Sequence, residues 1–410
     1  MKYIVILGDG MADEPLEALD NQTPLQAAHK PYMDSLAKGG IIGLVHTIPE
    51  GLSPGSDTAN LSVMGYDPHQ YYSGRSPLEV LSMGATMEEK DVSFRCNFVT
   101  LSDDDKPYKD KVILDHSADE ITTEEAHELL IYLVEYLGNS QLAFHTGTSY
   151  RHAIIWHDGS TDVNLTPPHD ILGKTIGNYL PKGDNADKIE QMMVLSYKLL
   201  SNHPINVKRK EQGLNPANAI WIWGEGTKPT LPSFQEKYGI TGAMISAVDL
   251  LKGIAVAAKM DNIHVEGATG NIHTNFKGKA KAAVETLQTH DFVYVHIEAP
   301  DECGHRGEIA NKVKSIEYID EVAGYIKETL DEKGEDYRIM VLPDHPTPIA
   351  LRTHTSNPVP YLIYDSTQVQ NNHHTYDEVS CEATHRRWQV GHTLMAYFLN
   401  KTAIEEEASC

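Results

Sequence analysis

Cysteine is scarce in this chain of 410 residues: there are four, Cys96, Cys303, Cys381 and Cys410. No two of them form a CxxC pair, which excludes a zinc-ribbon or disulfide-framework protein and points to a reducing compartment. Arginine is scarce too, at nine residues, and acids outnumber bases, giving a formal charge of 34 − 58 = −24. Such a surface suits neither nucleic acid nor anionic lipid, both of which favour a basic stripe. Long apolar runs are also missing. The opening MKYIVILGDG contains five consecutive apolar residues, positions 3–7, too few for a signal peptide's core or a membrane span. The expectation is a cytoplasmic protein with no nucleic-acid partner and no membrane partner. A small anionic substrate remains compatible with the acidity, because local cations can dominate a pocket. A homo-oligomer and a monomer are equally compatible with the sequence.

What is present points to a globular enzyme. A hydrophobic content of 40% over this length supports a large core and at least two domains. YIVIL followed by Gly-Asp-Gly reads as a buried strand opening an α/β sheet. DFVYVHIEAPD and YRIMVLPDHPTP repeat the pattern of an apolar run ending in acids. Between them, Val313, Ile316, Ile319, Val322 and Ile326 recur at helical spacing. Strand, helix, strand with polar residues at strand C-termini predicts an open, mostly parallel sheet with its site along that edge. The middle of the chain mixes VSFRCNFVTL, ITTEEAHELLIYLVEYL and NAIWIWGEG, and TKPTLPS reads as a linker out of it. The predicted organisation is therefore a discontinuous catalytic domain, 1–84 and 231–410, interrupted by an inserted α+β domain, 85–230.

Metal-type ligands lie at both ends of the chain. Asp9 ends the first apolar run, EAPDECGH carries Asp301 and His305, LPDHPTP carries Asp344 and His345, and RTHTSNPVP carries His354. Spaced four apart, Asp301 and His305 would share one side of a helical turn. Carboxylates and imidazoles in this number suit two hard or borderline divalent cations. Ser56 sits in PGSDTAN, either as a helix N-cap or as a hydroxyl activated by a neighbouring cation.

GDGMAD, PGSDTANLSVMGYDP, YYSGRSPLE, SYRH, TPPHD, EAPDECGHRGE, DHPTP and HTSNPVP together resemble the archaeal-type, cofactor-independent phosphoglycerate mutases of the alkaline phosphatase superfamily. The likeness runs nearly end to end in the same motif order. It implies an alkaline-phosphatase-like α/β fold, helices on both faces of the sheet, and two divalent ions (manganese, magnesium, zinc or cobalt), with no 2,3-bisphosphoglycerate. By that resemblance Asp301, His305 and His354 would hold one ion. Asp9, Ser56, Asp344 and His345 would hold the other, with Ser56 also the nucleophile. The implied reaction interconverts 3-phosphoglycerate and 2-phosphoglycerate through a phosphoserine, a step of glycolysis and gluconeogenesis, so the partner is a small phosphorylated carboxylate.

The inserted domain would then grip the glycerate, and guanidinium forks suit carboxylate and phosphate. Arg151 and His152 in SYRH are the first candidates. Arg209 in VKRKEQG is the next, against a solvated basic cluster. Asp170 in PPHD is a candidate acid/base, against an Asx turn. Arg75 in SGRSP is a candidate for the phosphate, against a helix C-terminal cap, and Lys279 in FKGKA is a further one. Trp221 and Trp223 alternate as strand packing would. DHSADEITTEE departs from the family by placing Ala-Asp-Glu where relatives usually carry a glycine-containing turn, in a loop that would bear on substrate.

Three other functions compete. A homoserine kinase of the same family is disfavoured by the lack of a GxxxxGK[ST] or glycine-rich kinase loop. A phosphomonoesterase or sulfatase fits less well, because the sulfatase Cys/Ser-x-Pro-x-Arg is missing around Ser56 and an insert of this size exceeds what hydrolysis needs. An inactive metal-binding protein would have lost a ligand, and none is lost.

Overall fold

The computed structural model describes residues 1–400, so Cys410 lies outside the described residues. The other three cysteines are buried free thiols. The chain forms two compact units, Met1–Tyr72 with Thr230–Cys410, and Ser73–Pro229. The insert thus begins some twelve residues earlier than the sequence predicts. The helix Arg75–Ser82 packs on the insert's strands Val92–Leu101 and Ala219–Thr227, and an ion pair joins Glu79 to Arg95.

The first unit is built on an eight-stranded sheet. Its spatial order is Asp261–Asn262, Gly242–Ile245, Phe292–Ile297, Lys2–Gly8, Tyr337–Leu342, Val359–Asp365, Ile41–Val45 and Arg387–Trp388. Only Val359–Asp365 runs antiparallel to its neighbours. Central strands of a parallel sheet are covered on both faces and read as unbroken apolar runs, as YIVIL and FVYVHI do. Ile4, Ile6, Val293 and Val295 join one core cluster with Met33, Leu36, Ile316 and Ile319 from two helices. On the opposite face Tyr3 meets the Phe398 ring edge-on at 5.8 Å, and the Tyr294 hydroxyl bonds Asn60 of another helix. Among the described residues, no helix is long and apolar enough to cross a membrane.

The second unit is an antiparallel five-stranded sheet centred on Val92–Leu101, which pairs with Arg151–Trp156 on one side and Ala219–Thr227 on the other. The helices Thr123–Leu137 and Ala186–Leu200 contribute Leu129, Leu133, Ile189 and Met193 to its core. Trp221 is buried there, its indole N–H donating to the Thr166 carbonyl at 2.8 Å.

The long helix Ile309–Glu332 also buries a carboxylate. Asp320 accepts from the backbone N–H groups of Tyr32 at 3.2 Å and Met33 at 2.6 Å, the otherwise unbonded donors at the start of helix Pro31–Gly39. Burial raises its pKa to about 6, so it is mostly ionised at pH 7. Asp320→Ala strands both donors and should cost about 2–3 kcal/mol in urea unfolding at pH 7. Asp320→Asn keeps one acceptor and should cost clearly less. Equal losses in the two variants would refute the capping role.

Candidate active site

The C-terminal ends of three adjacent strands bring the separated motifs together. Asp9 follows Lys2–Gly8, Asp301 and His305 lie on the helix Ala299–Arg306 after Phe292–Ile297, and Asp344 and His345 follow Tyr337–Leu342. The tight Gly-Asp-Gly turn depends on Gly10: its φ is +59°, and a Cβ there would sit 2.7 Å from Asp301 Oδ1. Ser56 is the first residue of helix Ser56–Val63, whose cap is Gly55, and its hydroxyl makes no capping bond. Instead Ser56 Oγ lies 3.1 Å from His345 Nε2.

Proton positions follow from the hydrogen-bond network. His305 Nδ1 donates to the Arg352 carbonyl at 3.0 Å, and His354 Nδ1 to the Pro54 carbonyl at 2.8 Å. Their Nε2 atoms nevertheless face each other at 2.9 Å, each 3.3 Å from an Asp301 oxygen. Two neutral imidazoles cannot bond lone pair to lone pair, so this pocket needs either an extra proton or a cation. Hydrogen bonding to Asp301 raises the His305 pKa to about 9. In His345, Nδ1 lies 3.2 Å from Thr347 Oγ1, which itself donates to Asp301 at 2.6 Å. This leaves His345 Nε2 open towards Ser56, 3.6 Å from Asp9 and 3.3 Å from Asp344.

The carboxylates are crowded. Burial first, then the charges of Asp344, Glu298 and Asp301, push the Asp9 pKa well above its usual range. Asp9 Oδ1 is fully buried without a hydrogen-bond partner. Asp301, His305 and His354 form one group with ligand atoms close enough to hold a metal ion, and Asp9, Asp301 and His345 form another. An orphaned buried oxygen, crowded acids and opposed imidazole lone pairs are the chemistry that divalent cations satisfy, so the residues present fit two ions. Behind them a buried ion pair fixes the loops. Lys312 Nζ donates to Asp13 at 2.7 Å and to the Thr347 carbonyl at 2.8 Å, and Asp13 accepts from the Ile349 N–H.

The insert carries its own cluster. Arg75 and Arg95 donate to the two oxygens of Glu79 at 2.9 and 2.8 Å. Burial alone would raise the Glu79 pKa, but Arg95 and Arg75, then Arg151, hold it below the usual value. Three guanidiniums around one carboxylate leave an excess of positive charge. The Arg95 guanidinium lies over Trp223 at 4.1 Å and that of Arg151 over Tyr150 at 4.3 Å. His169 meets Trp223 edge-on, and His116 meets Tyr150 in the same way. Asp170 is exposed, 3.7 Å from His169 Nε2.

Several sequence-based candidates lie elsewhere. Adjacent strand residues face opposite sides, so Arg151 points outward while His152 is buried against Phe98, its pKa lowered to about 4 by burial. Arg209 is buried and engaged within the insert: it donates to the Asn215 carbonyl, Glu125 and the Ala118 carbonyl. It thereby staples the Ala-Asp-Glu departure, where Ala118, Asp119 and Glu120 all take left-handed φ values of 50–55°. Lys279 is buried, with Nζ donating to the His296 carbonyl at 2.8 Å, and its pKa is lowered by burial to about 8. Arg75 is the first residue of its helix and not at a C-terminus. Arg95, Glu79 and His296 went unrecognised in the sequence, because each sits inside an apolar run or a helical pattern that reads as scaffold.

Comparison with known proteins identifies the family. Residues 37–206 match the family 2,3-bisphosphoglycerate-independent phosphoglycerate mutase, and residues 174–348 match Type I phosphodiesterase / nucleotide pyrophosphatase. A probable 2,3-bisphosphoglycerate-independent phosphoglycerate mutase from Geobacter sulfurreducens is 47% identical, covering 98% of this chain and 100% of that one. A 2,3-bisphosphoglycerate-independent phosphoglycerate mutase from Methanothrix thermoacetophila is 49% identical over 93% and 95% of the two chains. Among solved structures, a Pyrococcus horikoshii protein superposes with a TM-score of 0.81 at 30% identity, covering 98% of both chains. The cofactor-independent phosphoglycerate mutase of Thermoplasma acidophilum gives 0.66 at 29% identity, over 98% and 99%. With such identities across nearly the whole of each chain, and an α/β fold of the alkaline phosphatase type, this protein belongs to the 2,3-bisphosphoglycerate-independent phosphoglycerate mutase family.

Proposed function

We propose that this protein is an isomerase that interconverts 3-phosphoglycerate and 2-phosphoglycerate through a phosphoserine at Ser56, with two divalent ions and no 2,3-bisphosphoglycerate. The observation that carries the reading is the Ser56 hydroxyl, released from capping and lying 3.1 Å from the open nitrogen of His345 beside buried Asp9 and Asp344. Asp301, His305 and His354 would hold one ion, and Asp9, Ser56, Asp344 and His345 the other. Bound there, the ions would lower the serine hydroxyl's pKa and neutralise phosphoryl oxygens.

Ser56 gives up its hydroxyl proton and Oγ bonds to phosphorus as the bond between phosphorus and the substrate's bridging oxygen breaks, and the released glycerate oxygen takes a proton. Glycerate reorients, its other hydroxyl gives up a proton and attacks phosphorus, and Ser56 is restored. Arg75, Arg95 and Arg151 are suited to hold the anionic ends of glycerate, with Arg95 and Arg151 pre-oriented by their aromatic partners. Asp170, beside His169, is the candidate acid/base for the hydroxyl exchange. The insert (85–230 by sequence, Ser73–Pro229 by contacts) thus serves as the substrate-binding domain. In the cell this reaction belongs to glycolysis and gluconeogenesis in the cytoplasm.

An enolase-coupled assay on 3-phosphoglycerate with manganese, run beside ATP plus homoserine, tests the proposal: turnover in the second assay alone would replace mutase with kinase. Ser56→Ala should lower mutase turnover by at least ~10³-fold with the fold intact, and near-normal turnover would sink the phosphoserine route. Arg151→Ala should reduce mutase turnover far more than hydrolysis of an aryl phosphate, because only the mutase reaction needs its intermediate oriented. If both activities fell equally, Arg151 would belong to a step common to both reactions.

Proton competition makes a separate prediction. Without metal, His305 holds its proton up to about pH 9, so an ion binding at neutral pH must displace it. Manganese affinity at the Asp301 group should therefore fall about tenfold per pH unit below pH 9. Calorimetry in buffers of different ionisation heat should show proton release at pH 7. Affinity independent of pH between 6.5 and 8.5 would contradict the ligand assignment.

A further inference from the structure

The sheet edge that carries Asp9 also holds a hydrogen-bonded chain outside both groups of expected ligands. Ser246 follows strand Gly242–Ile245, His296 is the penultimate residue of Phe292–Ile297, and Asp9 follows Lys2–Gly8, three neighbouring strands. Ser246 Oγ lies 3.0 Å from His296 Nδ1, and His296 Nε2 lies 2.8 Å from Asp9 Oδ2. Ser246 Oγ accepts the Val248 N–H at 3.0 Å and keeps its own proton to give to His296 Nδ1. With Asp9 ionised, as a metal ligand must be, the ring carries its proton on Nε2 and donates it to Asp9.

This orientation is the reverse of that in His305, His345 and His354. Each of those donates from Nδ1 and turns Nε2 towards the carboxylates of its expected ion, as a metal ligand requires. His296 instead points a proton at a carboxylate. Its ring is fully buried, and the carbonyl of the same residue is gripped by Lys279 Nζ at 2.8 Å, so the donor has little freedom to turn away. Asp9, His296 and Glu298 lie close enough to share a cation, but the bond to Asp9 occupies the nitrogen that such an ion would use.

We infer that Ser246 and His296 form a positioning pair that holds Asp9 Oδ2, so that the unpartnered Oδ1 is presented to the ion shared with Ser56, Asp344 and His345. The inference rests on the two-ion reading above. Without the pair, the Asp9 carboxylate loses the donor that fixes Oδ2 and keeps its side-chain contact with Glu298, so that one ion loses a pre-oriented ligand while the ion at Asp301, His305 and His354 keeps all of its own.

The test is manganese binding to metal-free full-length protein, followed by the electron paramagnetic resonance signal of free manganese, with circular dichroism to check folding. Wild type should bind two ions. Ser246→Ala and His296→Leu should each weaken one of the two by about tenfold to a hundredfold and leave the other unchanged. His296→Gln, which keeps a donor towards Asp9, should recover most of the loss. In Ser246→Ala, mutase kcat should return towards wild type at saturating manganese, while the half-saturating manganese concentration stays raised. The proposal is overturned if folded His296→Gln binds as poorly as His296→Leu, or if Ser246→Ala weakens both ions equally or neither. Three ions in wild type, with one lost in both His296 variants, would make His296 a ligand and also overturn it. A wild type that binds no manganese would instead refute the two-ion reading itself.

Discussion

Buried like charge is the constraint on which the first unit's construction depends. Asp9, Asp301 and Asp344 are all almost fully removed from water around His345, and leaving such carboxylates unpaired costs several kcal/mol each. The surrounding groups are accordingly donors. The N–H groups of Gly10 and His345 bond Asp344 Oδ1, Asn60 bonds Oδ2, Thr347 bonds Asp301, and His296 bonds Asp9. Lys312 and Asp13 supply a balanced buried pair just behind. What the donors leave over is the open Asp9 oxygen and the open imidazole nitrogens. The same electrostatics that would destabilise an ordinary core here shapes a candidate cation site.

The insert handles charge in the opposite sense. Its guanidiniums, those of Arg95 and Arg151 laid over aromatic rings, gather around one carboxylate, so a local positive field persists in a chain that is strongly acidic as a whole. Next to His116, three consecutive non-glycine residues adopt left-handed backbone, which costs of order 1 kcal/mol apiece. Arg209, Asn215 and Asp115 hold that turn through bonds to its backbone and side chains. A buried arginine serves here as scaffold, while Arg75 and Arg151 are more exposed.

Much of this was legible in the sequence, for a simple reason: a parallel strand covered on both faces is an unbroken apolar run, and its C-terminal end is where ligand-binding groups collect. Asp9, Asp301, His305, Asp344 and His345 all announce themselves in that way. His296 does not, because it lies within the run FVYVHI, where a polar residue reads as tolerated and not as aimed. Arg95 is hidden similarly inside VSFRCNFVTL. Arg209 misled because KRK looks solvent-facing, whereas helix Pro204–Glu211 turns its middle member inward. SYRH offered two candidates, but strand alternation separates them. The unit boundary was misplaced because GRSPLEVLS looks continuous with what precedes it, and only the Glu79–Arg95 pair and the packing of its helix assign it to the insert.

The order of strands also bears on how the chain is made. Lys2–Gly8 is synthesised first, yet both of its sheet neighbours, Phe292–Ile297 and Tyr337–Leu342, emerge nearly three hundred residues later or more. The insert, by contrast, is one contiguous stretch with a core of its own. On a ribosome the insert is free to condense while the first strand still waits for partners, since domains fold as their sequences are completed. Ser56 therefore leaves the exit tunnel long before His345 exists, and the contact between the two forms only once the last strands close the sheet. Topology alone keeps the two halves of the cluster apart in the nascent chain.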